Sequence, residues 1–207
     1  MKKYIVLAVL FVFPLVVYLF FASGVNHFAK LPVLTQDIDE IGQYAEVQFT
    51  DRITVLGFFG SALQDKKGLA LNLNQKIYKR FYQFEDFQFV IALPKGTETQ
   101  AELLKQELAG TTGTDMSRWV FSFLTPEQLT SIFDSLYLPL QLDQNDASPY
   151  VFIVDREGNL RGRDDDDFVG YDARSVADIN NNMVDDVKVI LAEYRMALKK
   201  YNQKAIR

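Results

Sequence analysis

The chain has 207 residues, 48% of them apolar and including 17 Phe and 10 Tyr, so a folded domain with a sizeable core is expected and global disorder is excluded. A formal charge of −5 and a pI near 5.0 exclude a nucleic-acid partner; the short basic tail KKYNQK sits at the end of a helix, where cations complement the dipole. The absence of cysteine excludes disulfides, thiol nucleophiles, a lipidated cysteine and any cysteine metal site.

Lys2 and Lys3 precede Tyr4–Ser23, a stretch without a charged side chain. As a helix it would rise about 30 Å, enough for a bilayer core. A cleaved leader has a shorter apolar region of about 7–15 residues and a small-residue cleavage site, which FFASGVN matches poorly. Pro14 is tolerated in membrane helices. Residues 1–24 are therefore expected to form an uncleaved single-pass anchor, with the membrane as first partner. The two lysines put the N-terminus in the cytoplasm and the remainder outside the inner (cell) membrane. Taking Lys2 and Lys3 from the total of −5 leaves −7 on residues 27–207.

Residues 25–50, containing LPVLT and then an acidic stretch, read as a linker and the start of the domain, which fills 51–207. ITVLGFF, from Ile53, is a short apolar run of the kind found in a strand covered on both faces. Asp65–Phe84 reads as a helix, with Leu69, Leu73, Ile77 and Phe81 four apart on one face. Tyr78, Phe81 and Phe84 are core positions at helical spacing rather than a cofactor box. FQFVIAL (87–93) is a second buried strand, and a helix capped by Thr97 follows it. WVFSF (119–123) is a short strand. TPEQLTSIFDSL then shows Thr125 as N-cap, Pro126 at the first helical position and Gln128 completing a capping box. YVFIVD (150–155) is the next strand, REGN turns, and LRGR returns as a hairpin partner. A last helix carries Val184, Val187, Leu191, Tyr194 and Leu198. Strands alternating with helices, then a hairpin and a closing helix, give an α/β fold with a central sheet flanked by helices.

This order resembles the thioredoxin-like fold and, more narrowly, the Sco/SenC family. The resemblance rests on the N-terminal anchor, the LPVLT segment, the strand-turn ITVLGFFG, the stretch ALPKGTETQAELLKQEL, and DASPYVFIVDREGNLRG with its serine before a strand ending in Asp. It covers about residues 28–163. The family holds copper with two cysteines in C-x-x-x-C and a distant histidine. Here the turn Gly60–Asp65 has no thiol, Ala147 stands at the histidine position, and the only histidine is His27 beside the anchor. Met116, Met183 and Met196 are scattered, so no soft ligand set for Cu(I) is assembled. The resemblance thus implies a member without the family's redox and copper ligands, holding no cofactor and not acting as an enzyme. Its role would be that of a non-catalytic binding or assembly factor with a protein partner in the envelope, as in assembly of a respiratory oxidase. The fold also implies a cis-proline loop opposite the turn, at Ser148-Pro149. Gly60, Ser61, Ala62, Ser148 and Pro149 are accordingly the candidate partner-binding residues.

Ser61 lies at a strand-to-helix turn, but GFFGSA is not G-x-S-x-G and no histidine base is near, which leaves a cap or a solvated turn residue. Asp164–Asp167, with Asp155, Glu157 and Asn159, misses the calcium-loop spacing because Leu160 occupies the glycine position. That run reads as a solvated loop whose repulsion Arg156, Arg161 and Arg163 offset. The alternative function is a metal carrier or enzyme with non-thiol ligands, drawn from Gly60–Asp65, His27 or the acidic loop.

Overall fold

The computed structural model describes residues 3, 10–18, 30–165 and 167–205. Residues 10–18 are helical, and Leu10, Phe11 and Phe13 are exposed. Among the described residues no helix is long and apolar enough to cross a membrane, and positions 1, 2, 4–9 and 19–24 lie outside them, as does His27.

A seven-stranded sheet forms the centre. Its strands are β1 (Val33–Thr35), β2 (Ile53–Phe59), β3 (Phe87–Pro94), β4 (Trp119–Leu124), β5 (Ala147–Val154), β6 (Leu160–Arg161) and β7 (Tyr171–Asp172). They are ordered β1-β6-β5-β2-β3-β4, with β7 also paired to β5. β2, β3 and β4 run parallel, and β5 is antiparallel to β2, β6 and β7. β2 and β3 are buried at every position, which is why both read as unbroken apolar runs.

Alternate residues of these strands feed two cores on opposite faces. Val55, Phe89 and Ile153 pack with Leu73, Ile77, Tyr78, Leu104 and Val187. Their neighbours Leu56, Val90 and Phe152 pack with Ile41, Phe49, Leu129 and Phe133. Each such buried side chain contributes about 1.5–3 kcal/mol. The first face is covered by α1 (Lys67–Leu73), a π turn (Asn74–Tyr78) and α2 (Lys79–Phe81), by α3 (Glu98–Thr112), and by α5 (Val176–Asp178), a second π turn (Ile179–Met183) and α6 (Val184–Ala205). The second face is covered by a 3-10 turn (Ile41–Gln43) and α4 (Pro126–Asp134).

Local chemistry sets the helix ends. The capping box of α4 is formed in both directions: Gln128 N–H donates to Thr125 Oγ1, and Thr125 N–H donates to Gln128 Oε1. Thr97 precedes α3 without capping it; its hydroxyl donates to Pro94 O at 2.8 Å. Residues 31–50 are built into the fold: Leu31, Ile38, Ile41 and Phe49 are buried, and β1 pairs with β6. Glu40 organises this stretch. Burial opposes its charge, but the N–H groups of Phe49, Thr50 and Gly42 and the Thr50 hydroxyl together hold its carboxyl below the ordinary range.

The three arginines expected to balance the acidic run are engaged elsewhere. Arg156 pairs with Asp51 and Asp86, Arg161 with Asp155 and Glu193, and Arg163 with Asp186. Asp164, Asp165 and Asp167 are exposed and largely separated by water; of the acidic group, Asp155 is paired with Arg161, and Asp165 adds to the Asp186 charge that holds Arg163 protonated.

Candidate functional site

The site begins where β2 ends. Phe59 pairs with Ala147, and Gly60 turns the chain at φ +68, a backbone conformation that favours glycine. The space is also too small for a side chain: a Cβ on Gly60 would lie 2.2 Å from Asn145 O and 2.8 Å from Ala147 Cβ. Ser61 N–H donates to Asn145 O at 2.9 Å. Two segments more than eighty residues apart in sequence thus meet, and Ala147 lies against the turn.

The partner loop is wound on Asp143. Its carboxylate accepts from Asn145 N–H at 2.8 Å and Ala147 N–H at 3.0 Å, while Asp143 N–H donates to Ala147 O. Asp155 does similar work in the β5–β6 hairpin, accepting from Glu157 N–H, Asn159 N–H and Arg161. Both carboxylates are therefore consumed by backbone turns.

Beyond Ala147, β5 bulges. Gly57 pairs with Val151 and Phe59 with Ala147, so Phe58 alone is matched by Ser148, Pro149 and Tyr150. The cis bond expected at Pro149 is not formed; no peptide among the described residues is cis. The bulge explains this. Pro149 has no N–H to give and sits where the ladder is interrupted, so the ordinary trans isomer meets every requirement. Ser148 is buried, and its hydroxyl accepts from Tyr150 N–H at 3.1 Å.

Pro149 O accepts from Ala173 N–H at 3.0 Å, and Ala173 O accepts from Asn72 Nδ2 at 3.0 Å. This chain of bonds joins the β5 bulge, the segment after β7 and α1. Between them lies a groove of about 350 Å³, lined by Leu69, Asn72, Pro149, Ala173, Arg174 and Val176, with Asp65 and Lys66 at the α1 end. Val176 is 54% exposed. The Arg174 guanidinium grips Asp172 through both carboxylate oxygens at 2.8 Å and holds that carboxyl below its usual range. The groove therefore offers an apolar floor, one anionic and one cationic residue, Asp65 and Lys66, from the 3-10 turn that leads into α1, and a half-neutralised arginine.

Of the residues expected from sequence, Pro149 lines this groove. Gly60, Ser61 and Ala62 form the adjoining turn, with Gly60 buried, Ser61 exposed and Ala62 half-buried. Ser61 does not cap the following helix; Ala62 is the residue before the 3-10 turn Leu63–Lys66, and no side chain caps it. Sequence reasoning missed Asn72, Ala173, Arg174 and Val176. No motif marks them, because their grouping depends on a contact spanning 101 positions.

Behind the groove wall, Tyr171 OH donates to Asp186 at 2.9 Å, and Arg163 pairs with the same carboxylate. Burial pushes the Tyr171 hydroxyl well above its ordinary pKa, and Asp186 adds to the effect. Tyr171 is thus a fixed donor that anchors β7 to α6. Among the described residues no group of three His, Cys, Asp or Glu is arranged to hold a metal ion.

No family model matches the chain, and no curated protein matches it. Solved structures do. A SCO1/SenC family lipoprotein from Bacillus anthracis str. Ames superposes with a TM-score of 0.51 at 17% identity, covering 82% of this chain and 99% of its own. A candidate electron transfer protein from Aquifex aeolicus VF5 gives 0.50 at 16% identity, over 78% of this chain and 92% of that one. The apo Sco1 protein from Thermus Thermophilus gives 0.45 at 13% identity, over 76% and 96%. This chain thus has the thioredoxin-like fold seen in SCO1/SenC structures, and it carries that fold without a single cysteine.

Proposed function

We propose that the chain is a membrane-anchored, extracytoplasmic protein of Sco/SenC type that has given up redox and copper chemistry. In this reading it works by binding an extended polypeptide along the groove beside the Gly60–Ala62 turn, as a non-catalytic factor in assembly of a membrane complex such as a terminal oxidase. The observation that carries the reading is the closure of both ligand loci onto each other. Asn145 O fills the place of a side chain on Gly60, and the methyl group of Ala147 packs against the same atom position. A cysteine-free chain has no route to thiol–disulfide exchange. What the turn and bulge retain is a shaped surface with an apolar floor, and that favours binding. The anchor is supported by the uncharged run Tyr4–Ser23 and by the exposed apolar side chains of residues 10–18.

Calorimetric titration of the purified full chain with Cu(I), Cu(II) and Ca²⁺ tests the loss of ligands. No saturable heat is expected in the sub-micromolar range. Stoichiometric sub-micromolar binding of any of these ions would overturn the reading.

A further inference from the structure

The charges of this chain are segregated along it. All 27 acidic residues lie between Asp37 and Glu193, whereas Arg195, Lys199, Lys200, Lys204 and Arg207 follow Glu193 with no acid among them. α6 runs through Ala205, so four of these cations belong to one helix end. At about 100° per residue, positions 198, 201 and 205 continue the line of Val187, Leu191 and Tyr194. Positions 195 and 199 fall on one side of that line, and 200 and 204 on the other. Cations at a helix C-terminus complement the dipole, but that effect is confined to the last turn and does not call for Arg195. An apolar line of Leu198, Tyr201 and Ala205 flanked on both sides by cations is the pattern of a helix lying at a headgroup boundary.

The position of this helix end supplies the second observation. One buried guanidinium, Arg161, donates to Leu31 O at 2.8 Å and to Glu193 at 2.7 Å. The start of the cationic stretch is thereby fixed beside the point where the chain enters the domain. Ser23 to Leu31 spans at most about 28 Å of chain. Glu193 to Ala205 measures about 18 Å as helix. The cationic end therefore starts within a short tether of the bilayer.

We infer that the C-terminal end of α6 docks on the anionic headgroup surface of the membrane that holds residues 4–23. The inference rests on the anchor in the reading above. It gives the domain a second attachment, so that its orientation over the bilayer is set rather than left to the linker.

The test uses the full chain carrying Ala205→Cys, a position on the apolar line and the only thiol in it, labelled with an environment-sensitive dye. Vesicles of phosphatidylcholine alone are compared with vesicles containing anionic phosphatidylglycerol. Flotation with the neutral vesicles reports the anchor, whatever α6 does. The dye should be quenched by a headgroup-depth lipid quencher in anionic vesicles only. The docking equilibrium read from that quenching should fall about 150-fold in the Lys199→Gln/Lys200→Gln/Lys204→Gln variant, as expected for three cations at about 1 kcal/mol each, and most of the quenching should be lost in 0.5 M salt. Equal exposure of the dye in both vesicle types overturns the docking, as does protection without lipid, which would mean that the helix packs on a second copy. If the chain fails to float with neutral vesicles the anchor is wrong; salt-sensitive flotation with anionic vesicles would then still support the α6 surface, and its absence would overturn it.

Discussion

At Gly60 two constraints coincide, a left-handed backbone and a carbonyl oxygen where a Cβ would go. Gly60→Ala should therefore destabilise the domain by about 2 kcal/mol or more, since an L residue in this conformation already costs about 1–2 kcal/mol. A shift of the urea midpoint would show it, and an unchanged midpoint would mean that the loop at Asn145 gives way freely. Tyr78 provides a different handle. Its hydroxyl donates to Asp115 O at 2.8 Å and accepts from Arg118 N–H at 3.1 Å. Burial, with Asp115 nearby, pushes its pKa up to about 12 from an unfolded value near 10.0. A raised pKa means that the folded state favours the protonated hydroxyl. Its contribution is complete below the unfolded value and is lost as pH rises through the folded one. Stability measured from pH 10 to 12 should decline, and Tyr78→Phe should make that decline less steep, leaving the share of Tyr171 and Tyr194, whose pKa values burial also raises.

The helices and long strands were readable because each carries a continuous local signal. Ile53–Phe59 and Phe87–Pro94 are apolar at nearly every position, and the capping box of α4 is written in four consecutive residues. Thr125→Ala should cost about 1 kcal/mol through loss of that cap, as read by thermal unfolding. The π turn at Asn74–Tyr78 was not read, although its trace is visible. Leu69, Leu73, Ile77 and Phe81 are spaced strictly by four and all are buried. A pure α-helix would rotate that line by about 40° per step, and a wider turn restores it. β1 and β7 are three and two residues long, too short for a periodic signal, and depend on partners far along the chain. The clasp around Arg161 was misread as counterbalance for the acidic run, because sequence distance favoured Asp164–Asp167 over Glu193. Arg161→Met should destabilise by about 3 kcal/mol, since it strips a buried cation from Asp155, Glu193 and Leu31 O. Hydrogen exchange at Val33 and Thr35 should rise in the same variant.

Over the whole molecule, the chain has a thioredoxin-like fold without a cysteine, and the two places to which the Sco/SenC resemblance points are the turn Gly60–Asp65 and Ala147. The turn and the Ala147 loop were legible as a pair in the sequence, because a strand-turn-helix and a serine-proline before a strand are local patterns. The groove was legible only at Pro149; its other wall, Ala173–Val176, is bonded to it through Asn72 and Pro149, far away in sequence. The central claim is that this groove binds a polypeptide. Its most direct test is to place a photoreactive amino acid at Val176, in the groove, or at Leu103, an exposed position of α3 outside it, in the full chain in its native membrane. Irradiation should give one discrete covalent polypeptide adduct from position 176 and none from position 103. No adduct at 176, or the same adducts at both positions, would contradict the account.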